Sequence, residues 1–194
     1  MHFGTILDTF IAYYDKDLKL KARWAFRSND GFCDTSWYND GKIKSYSAFG
    51  NPECYNQMSW YRNRQLESKS ICTGDTGTAL YYYPSGQLKS KYISYRDTAR
   101  RNTITCHYTV EYYENGQLKY DPIDINGPRT LLMKNYYESG NVKWESAYQI
   151  GEPVGPFHEW YESGQLKVSG QHKIPLDDKG YFQATRIGTW SYLS

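Results

Sequence analysis

Long hydrophobic runs are absent from this sequence of 194 residues, and its mean hydropathy is −0.80. No stretch approaches the roughly 18 apolar residues that a membrane-spanning helix needs, so no membrane insertion is expected. Hydrophobic residues make up only 39% of the chain, which disfavours a large core covered on both sides. The start of the sequence lacks a basic segment and a small-residue cleavage site, which predicts a cytoplasmic protein.

Neither sign of charge is in large excess, because the chain has 23 Lys and Arg and 21 Asp and Glu. A net charge of +2 gives no bulk electrostatic case for nucleic acid as a partner. The four cysteines, Cys33, Cys54, Cys72 and Cys106, form no C-x-x-C pair, so neither zinc-ligand nor thioredoxin spacing is present. Since no export signal is seen, we expect reduced thiols that pack within strands, and a disulfide is the alternative.

Catalytic motifs are missing as well. The four histidines, His2, His107, His158 and His172, lie far apart, and the sequence has no H-x-x-x-H pair, G-x-S-x-G or P-loop. Enzyme chemistry needs a convergent set of such groups. The sequence therefore predicts a protein that is not an enzyme and that binds no metal or cofactor.

Aromatic residues are abundant, with 21 Tyr, 6 Trp and 7 Phe, and they recur in one phrase. Its six copies are "WYNDGKIK" (37–44), "WYRNRQLE" (60–67), "YYPSGQLK" (82–89), "YYENGQLK" (112–119), "YYESGNVK" (136–143) and "WYESGQLK" (160–167). Successive copies are 23, 22, 30, 24 and 24 residues apart. Periods of this length indicate a repeat architecture in which neighbouring units stack along one dimension.

Each phrase reads as a β-hairpin, with aromatic strand formers, a turn and then an aliphatic strand. Pro84 selects the turn, because proline fits the second position of a type I turn when Gly86 follows in the left-handed region. The expected three-residue loop pairs Tyr83 with Gln87, Tyr82 with Leu88 and Tyr81 with Lys89.

Side chains alternate along a strand, so the two aromatic residues of each copy point to opposite faces of the sheet. The first aromatic residue faces an aliphatic one, and we expect this first-aromatic face to be the packed face. The tyrosine face carries the second aromatic residue, which is Tyr in all six copies. The recurring lysine is expected on the tyrosine face, with Lys119 opposite Glu111 and Lys167 opposite Glu159.

The predicted fold is all-β, an elongated antiparallel sheet of repeated hairpins that forms a single repeat domain over 1–194. Residues 1–30 form a degenerate N-terminal cap, in which Tyr13–Lys19 is an eroded seventh copy that lacks one residue. Six hairpins follow over 31–170, and 171–194 hold an insertion and a capping strand. Three segments interrupt the period: 94–105, 121–130, whose Pro and Gly predict a loop, and 171–186.

The unit G-x-[WF]-x-x-[WY]-Y-x-x-G-x-[LIV]-K, clearest in "GPFHEWYESGQLK" (155–167), resembles the MORN-repeat variant of YwqK-like bacterial antitoxin and immunity proteins. Arg64 departs from the pattern, because it replaces the turn glycine. The resemblance implies an elongated sheet of hairpins and a non-catalytic protein that neutralises a cognate bacterial toxin by direct binding.

Two groups of residues are candidates for contact with that toxin protein. The predicted partner-binding residues are Tyr38, Tyr61, Tyr83, Tyr113, Tyr137, Tyr161, Arg96, Arg100 and Arg101. Tyrosine is a common interface anchor, and basic residues in a long insertion would steer an acidic partner. The alternative is that the tyrosines only stabilise the sheet through cross-strand pairing and that the arginines belong to a solvated loop.

Two other functions stay open. Aromatic platforms also suit a glycan-binding or cell-wall-binding repeat module, in which quaternary ammonium groups bind through cation–π contacts. The recurring lysine beside each tyrosine opposes that function. A MORN-type scaffold near membranes is the other alternative, and its support is a local basic cluster of Lys89, Lys91, Arg96, Arg100 and Arg101.

Overall fold

The computed structural model describes residues 7–27, 31–51, 54–73, 76–97, 103–124, 130–149, 152–173 and 185–193. These residues form fifteen strands and no helix, so the described chain has no helix long and apolar enough to cross a bilayer. The strands are β1 (Leu7–Tyr14), β2 (Leu20–Arg27), β3 (Gly31–Trp37), β4 (Ile43–Asn51), β5 (Cys54–Trp60), β6 (Leu66–Thr73), β7 (Thr76–Tyr82), β8 (Leu88–Asp97), β9 (Thr103–Tyr112), β10 (Leu118–Asp124), β11 (Thr130–Tyr136), β12 (Val142–Gln149), β13 (Glu152–Trp160), β14 (Leu166–Lys173) and β15 (Thr185–Tyr192).

The strands follow one another in the sheet in the same order as in the chain, and the described pairs are antiparallel. This confirms the predicted all-β sheet of consecutive hairpins.

The chain forms two compact units, Met1–His107 and Tyr108–Ser194. The first has 15 Lys and Arg against 10 Asp and Glu, a net charge of +5, and the second has 8 against 11, a net charge of −3. A nearly neutral chain thus consists of a basic unit and an acidic one.

The predicted turn is confirmed at Pro84. The Tyr83 N–H donates to the Gln87 carbonyl at 2.8 Å, and the Gly86 N–H donates to the Tyr83 carbonyl at 2.8 Å. Gly86 has a φ of 90°, in the left-handed region that only glycine adopts without strain. The same two hydrogen bonds close the other five turns at 38–42, 61–65, 113–117, 137–141 and 161–165.

Pairing between the first aromatic and the aliphatic residue is also confirmed in all six copies. The pairs are Trp37 with Ile43, Trp60 with Leu66, Tyr82 with Leu88, Tyr112 with Leu118, Tyr136 with Val142 and Trp160 with Leu166. The next predicted pair is wrong, because Tyr81 lies opposite Ser90 and not Lys89. Lys89 is the additional residue of a β-bulge, and every copy has this bulge after its aliphatic residue.

The bulge changes which face is buried. Val168 pairs with Glu159 and therefore lies on the tyrosine face, and at 8% exposure it is the buried hydrophobic side chain among the described residues. Ser146 and Ser47, at 1% and 6% exposure, lie on the tyrosine face as well. On the first-aromatic face, Ile43 is 47% exposed. The predicted packed first-aromatic face is therefore wrong for these residues, because the buried side chains lie on the tyrosine face and Ile43 is exposed although it lies beside its turn.

The first hairpin is complete, and the predicted loss of one residue is wrong. Tyr14 pairs with Leu20, and Asp15 takes the place of the second tyrosine, with its N–H donating to the Lys19 carbonyl at 3.0 Å. Leu18 occupies the glycine position with a φ of 57°. Arg64 does so in the third hairpin with a φ of 73°, so that hairpin keeps the common turn.

Two further expectations need correction. Cys72 is disulfide-bonded, whereas Cys33 is free. The expectation of reduced thiols therefore holds at Cys33 and is wrong at Cys72, because a sheet places side chains of different strands next to each other. Asp121–Asp124, expected in a loop, belong to β10 and pair with β11.

Replacing the two strained turn residues tests this account of the loops. Leu18 is 82% exposed and its side chain contributes little packing, so Leu18→Gly relieves the left-handed strain at almost no other cost. We expect Leu18→Gly and Arg64→Gly each to stabilise the protein by about 0.5–1 kcal/mol in chemical denaturation.

Gly116→Ala is the matched control. Gly116 has a φ of 86°, and an added Cβ would meet nothing within 4 Å, so only backbone strain is introduced. It should destabilise by about 1 kcal/mol. Unchanged stability in all three variants would contradict the turn geometry.

Candidate functional site

In the copies with Tyr38, Tyr61, Tyr113 and Tyr137, the second tyrosine joins its hairpin to the next. Its hydroxyl donates to the backbone carbonyl of the first aromatic residue in the following copy. The bonds are Tyr38 to Trp60 at 2.8 Å, Tyr61 to Tyr82 at 2.8 Å, Tyr113 to Tyr136 at 2.8 Å and Tyr137 to Trp160 at 2.9 Å. Tyr161 donates in the same way to Leu193, which follows β15, at 3.1 Å. We call this row of hydrogen bonds the tyrosine seam.

Polar turn side chains make a second row of contacts between neighbouring hairpins. In each case the acceptor is the carbonyl of the residue that follows the second tyrosine of the next copy. The bonds are Asn63 to Pro84 at 2.9 Å, Asn115 to Glu138 at 3.0 Å, Asn141 to Glu162 at 2.9 Å and Lys42 to Arg62 at 2.9 Å. Successive turns are therefore held at a fixed spacing by two hydrogen bonds, one from the tyrosine and one from the turn.

The bulged lysine lies against the tyrosine ring of its own hairpin. The ammonium groups of Lys89, Lys143 and Lys167 are 5.7, 5.5 and 5.6 Å from the ring centroids of Tyr83, Tyr137 and Tyr161. Two of the equivalent lysines also bind a carboxylate, Lys119 with Glu111 at 2.9 Å and Lys167 with Glu159 at 2.8 Å. The hydrogen bond that Lys167 donates to Glu159 raises the pKa of Lys167 above its usual value. The predicted contacts are present although the backbone register differs by one residue, because the bulge turns the lysine toward the same face.

The seam defines what the predicted tyrosine contacts can do. The hydroxyls of Tyr38, Tyr61, Tyr113 and Tyr137 are bound within the chain, and burial raises the pKa of Tyr61 above its usual value. These bonds stabilise the sheet, and contact of the tyrosines with a partner stays a prediction. Tyr161 retains 36% exposure, and Tyr83 is half-buried in the turn region.

The predicted arginines are placed only in part. The backbone of Arg96 belongs to β8, while Arg100 and Arg101 lie outside the described residues. The basic cluster of the sequence is divided, because Lys89 lies on the tyrosine face and Lys91 pairs with Leu80 on the first-aromatic face.

Exposed apolar side chains of the first unit were not singled out from the sequence. Ile43 is 47% exposed and Ile71 is 39% exposed, and both lie on the first-aromatic face. Tyr46, on the same face, is 37% exposed, and Tyr81 on the tyrosine face is 45% exposed. An aliphatic residue at a strand position normally signals burial, so nothing in the sequence distinguishes these side chains from core residues.

A shallow groove also opens beside the second turn. It has a volume of about 470 Å³ and is lined by Lys19, Leu20 and Trp37 together with residues 38–41. Its walls combine an aromatic and an aliphatic side chain with charged turn residues, and it adjoins exposed Ile43. The groove extends the exposed apolar area of the first unit.

Charged side chains form a row on the first-aromatic face of the second unit. Lys134 contacts Glu145 at 3.1 Å, and His158 Nδ1 lies 3.6 Å from the other Glu145 oxygen. The His158 ring lies 5.5 Å from the ring of Trp160. Among the described residues, no group of three His, Cys, Asp or Glu side chains could hold a metal ion.

A tyrosine substitution tests the seam. Tyr137→Phe removes one hydroxyl and leaves the Trp160 carbonyl without that donor, so we expect a loss of about 1 kcal/mol in the free energy of unfolding. Tyr81→Phe is the control, because the Tyr81 ring is 45% exposed and makes no such bond across a seam. Equal effects of the two substitutions on chemical denaturation would contradict the seam.

The repeated hairpin has a known relative. A family model described as MORN repeat variant matches residues 75–97 and 109–121, which contain the turns at Gly86 and Gly116. No curated protein matches the chain. The matched segments coincide with the hairpin described above, and they support a MORN-repeat family for this chain.

Proposed function

We propose that this chain is a non-catalytic protein-binding repeat module that acts as an immunity protein and neutralises a cognate bacterial toxin by direct binding. The observation that carries the proposal is the exposure of Ile43 and Ile71, at 47% and 39%, on the first-aromatic face of the first unit. Repeats of the MORN class are in general modules that bind proteins or membranes.

An exposed apolar area on a rigid sheet suits a protein partner. Ile43 beside the turn of β4 and Ile71 farther along β6 offer two apolar contact points on this face. The hydrogen bonds between successive turns hold the hairpins in place, so binding requires little ordering of the surface, and this saves free energy of association. The tyrosine seam leaves this face free because its contacts lie on the other side of the sheet.

The charge of the first unit indicates the kind of partner. Its net charge of +5 contrasts with −3 for the second unit, so an acidic protein would be attracted to the first unit. Lys69 and Lys91, which both pair with Leu80, contribute to this potential on the first-aromatic face. We therefore propose an acidic toxin domain that contacts the first-aromatic face of the first unit.

Capture of the toxin tests the proposal. The tagged chain is expressed in its native host, and the proteins that it retains are identified by mass spectrometry. Each is then expressed alone and together with the chain. We expect one acidic partner that stops growth when alone, with growth restored by coexpression. A retained partner that is not toxic would favour a MORN-type scaffold and would contradict the immunity function.

Substitutions on the two faces locate the contact. Ile43→Ser combined with Ile71→Ser changes only exposed side chains of the first-aromatic face, and we expect it to weaken binding by about 2 kcal/mol in calorimetry. Tyr81→Ser on the tyrosine face is the matched control and should leave the affinity nearly unchanged. The opposite order of effects would place the partner on the tyrosine face.

A further inference from the structure

The terminal strand β15 is held to β14 through one aromatic side chain. The Trp190 ring stacks on Phe157 with centroids 5.6 Å apart and an interplanar angle of 29°. A Cβ on Gly170 of β14 would overlap the Trp190 indole, so only a glycine at this position leaves room for the ring. Trp190 is half-buried, whereas the other residues of β15 are exposed. Away from the turn at 161–165, docking of β15 onto β14 therefore depends on the cluster of Trp190, Phe157 and Gly170.

His172 lies at the edge of the same cluster. Its ring is 5.0 Å from Trp190 and 5.9 Å from Phe157, and it meets both at steep angles of 71° and 83°. In the register of β14 and β15, His172 is directly opposite Arg186. The Arg186 guanidinium lies 4.3 Å from the Trp190 ring centroid, and its Nη1 donates to the Tyr192 hydroxyl at 2.9 Å.

A proton on His172 would create two cations directly opposite each other. From β15, Arg186 and Trp190 face the imidazole, and from β13, Gly155 and Phe157 do so. Lys173, the neighbour in β14, lies on the other face of the sheet. Like charges in a cross-strand pair destabilise the pairing. The Trp190 ring already interacts with the Arg186 guanidinium, so it is less able to offset the second charge by a cation–π contact.

We propose that β15 is a pH-sensitive latch, which closes on β14 while His172 is neutral and opens when His172 is protonated. Opening would expose Phe157 and the backbone edge of β14, which is a template for pairing with another strand. The inference does not depend on the proposed immunity function.

The pH range in which β15 opens follows from the direction in which the pKa of His172 is shifted. Burial, and then the charge of Arg186, lower the pKa of His172 below its usual value of 6.5. A group whose pKa is lower in the docked state contributes its full stabilisation above the undocked pKa and loses it as the pH falls below that value. The latch is therefore closed at neutral pH and opens under mildly acidic conditions.

Hydrogen–deuterium exchange of the full chain at pH 7.5 and pH 5.0 tests the latch, with rates corrected for the intrinsic effect of pH. We expect the β15 amides to exchange several-fold faster, relative to the corrected rate, at the lower pH. His172→Phe keeps a neutral ring in the cluster and should abolish that change. If wild-type β15 is equally or better protected at pH 5.0, the proposal is overturned, because the rings then accommodate the imidazolium.

Three further variants keep the test decisive. Arg186→Gln alters an exposed residue and should reduce the pH effect even if His172→Phe does not fold. His158→Gln is the matched control on the other face and should retain the wild-type response. Loss of the response in this variant would show that His158, and not His172, causes it. Gly170→Ala displaces Trp190 and should give rapid exchange of β15 at both pH values.

Discussion

The hydrogen bond from a tyrosine hydroxyl to the next hairpin's backbone is the interaction on which the other features depend. A single-layered sheet cannot bury its apolar side chains against a second layer, and Val168 is the buried hydrophobic side chain in the described part of the chain. Cohesion must therefore come from lateral contacts between hairpins. The bond from Tyr61 to Tyr82 and that from Tyr137 to Trp160 show the same solution in the two units.

This arrangement leaves the proposed binding face outside the seam. Tyrosine is a common interface anchor, yet here its hydroxyl is engaged inside the chain and its ring is covered by a lysine, as with Lys143 over Tyr137. The first-aromatic face takes no part in the seam, and it leaves Ile43 and Ile71 exposed. A repeat array built in this way can vary one face for a partner without weakening the contacts that hold the array together.

Local features of the fold could be predicted from the sequence, because a turn depends on few residues. Pro84 alone identified the loop, and the loop fixed the first cross-strand pair. The bulge was not predicted, although the serines give a hint of it. Ser36 lies one residue before Trp37, whereas its partner Ser45 lies two residues after Ile43, so one strand holds an additional residue. Their hydroxyls are 2.6 Å apart. The seam, the disulfide of Cys72 and the exposed face could not be predicted, since they depend on distances between strands rather than on order along one strand.

The seam requires that the hydroxyls of its tyrosines stay bound to backbone carbonyls. Nuclear magnetic resonance of protein labelled with ¹³C at tyrosine Cζ measures it directly, because a hydroxyl that exchanges slowly gives separate signals in mixed light and heavy water. The account predicts slow exchange for the hydroxyls of Tyr61 and Tyr137 and fast exchange for that of Tyr81. Fast exchange at all three would contradict it.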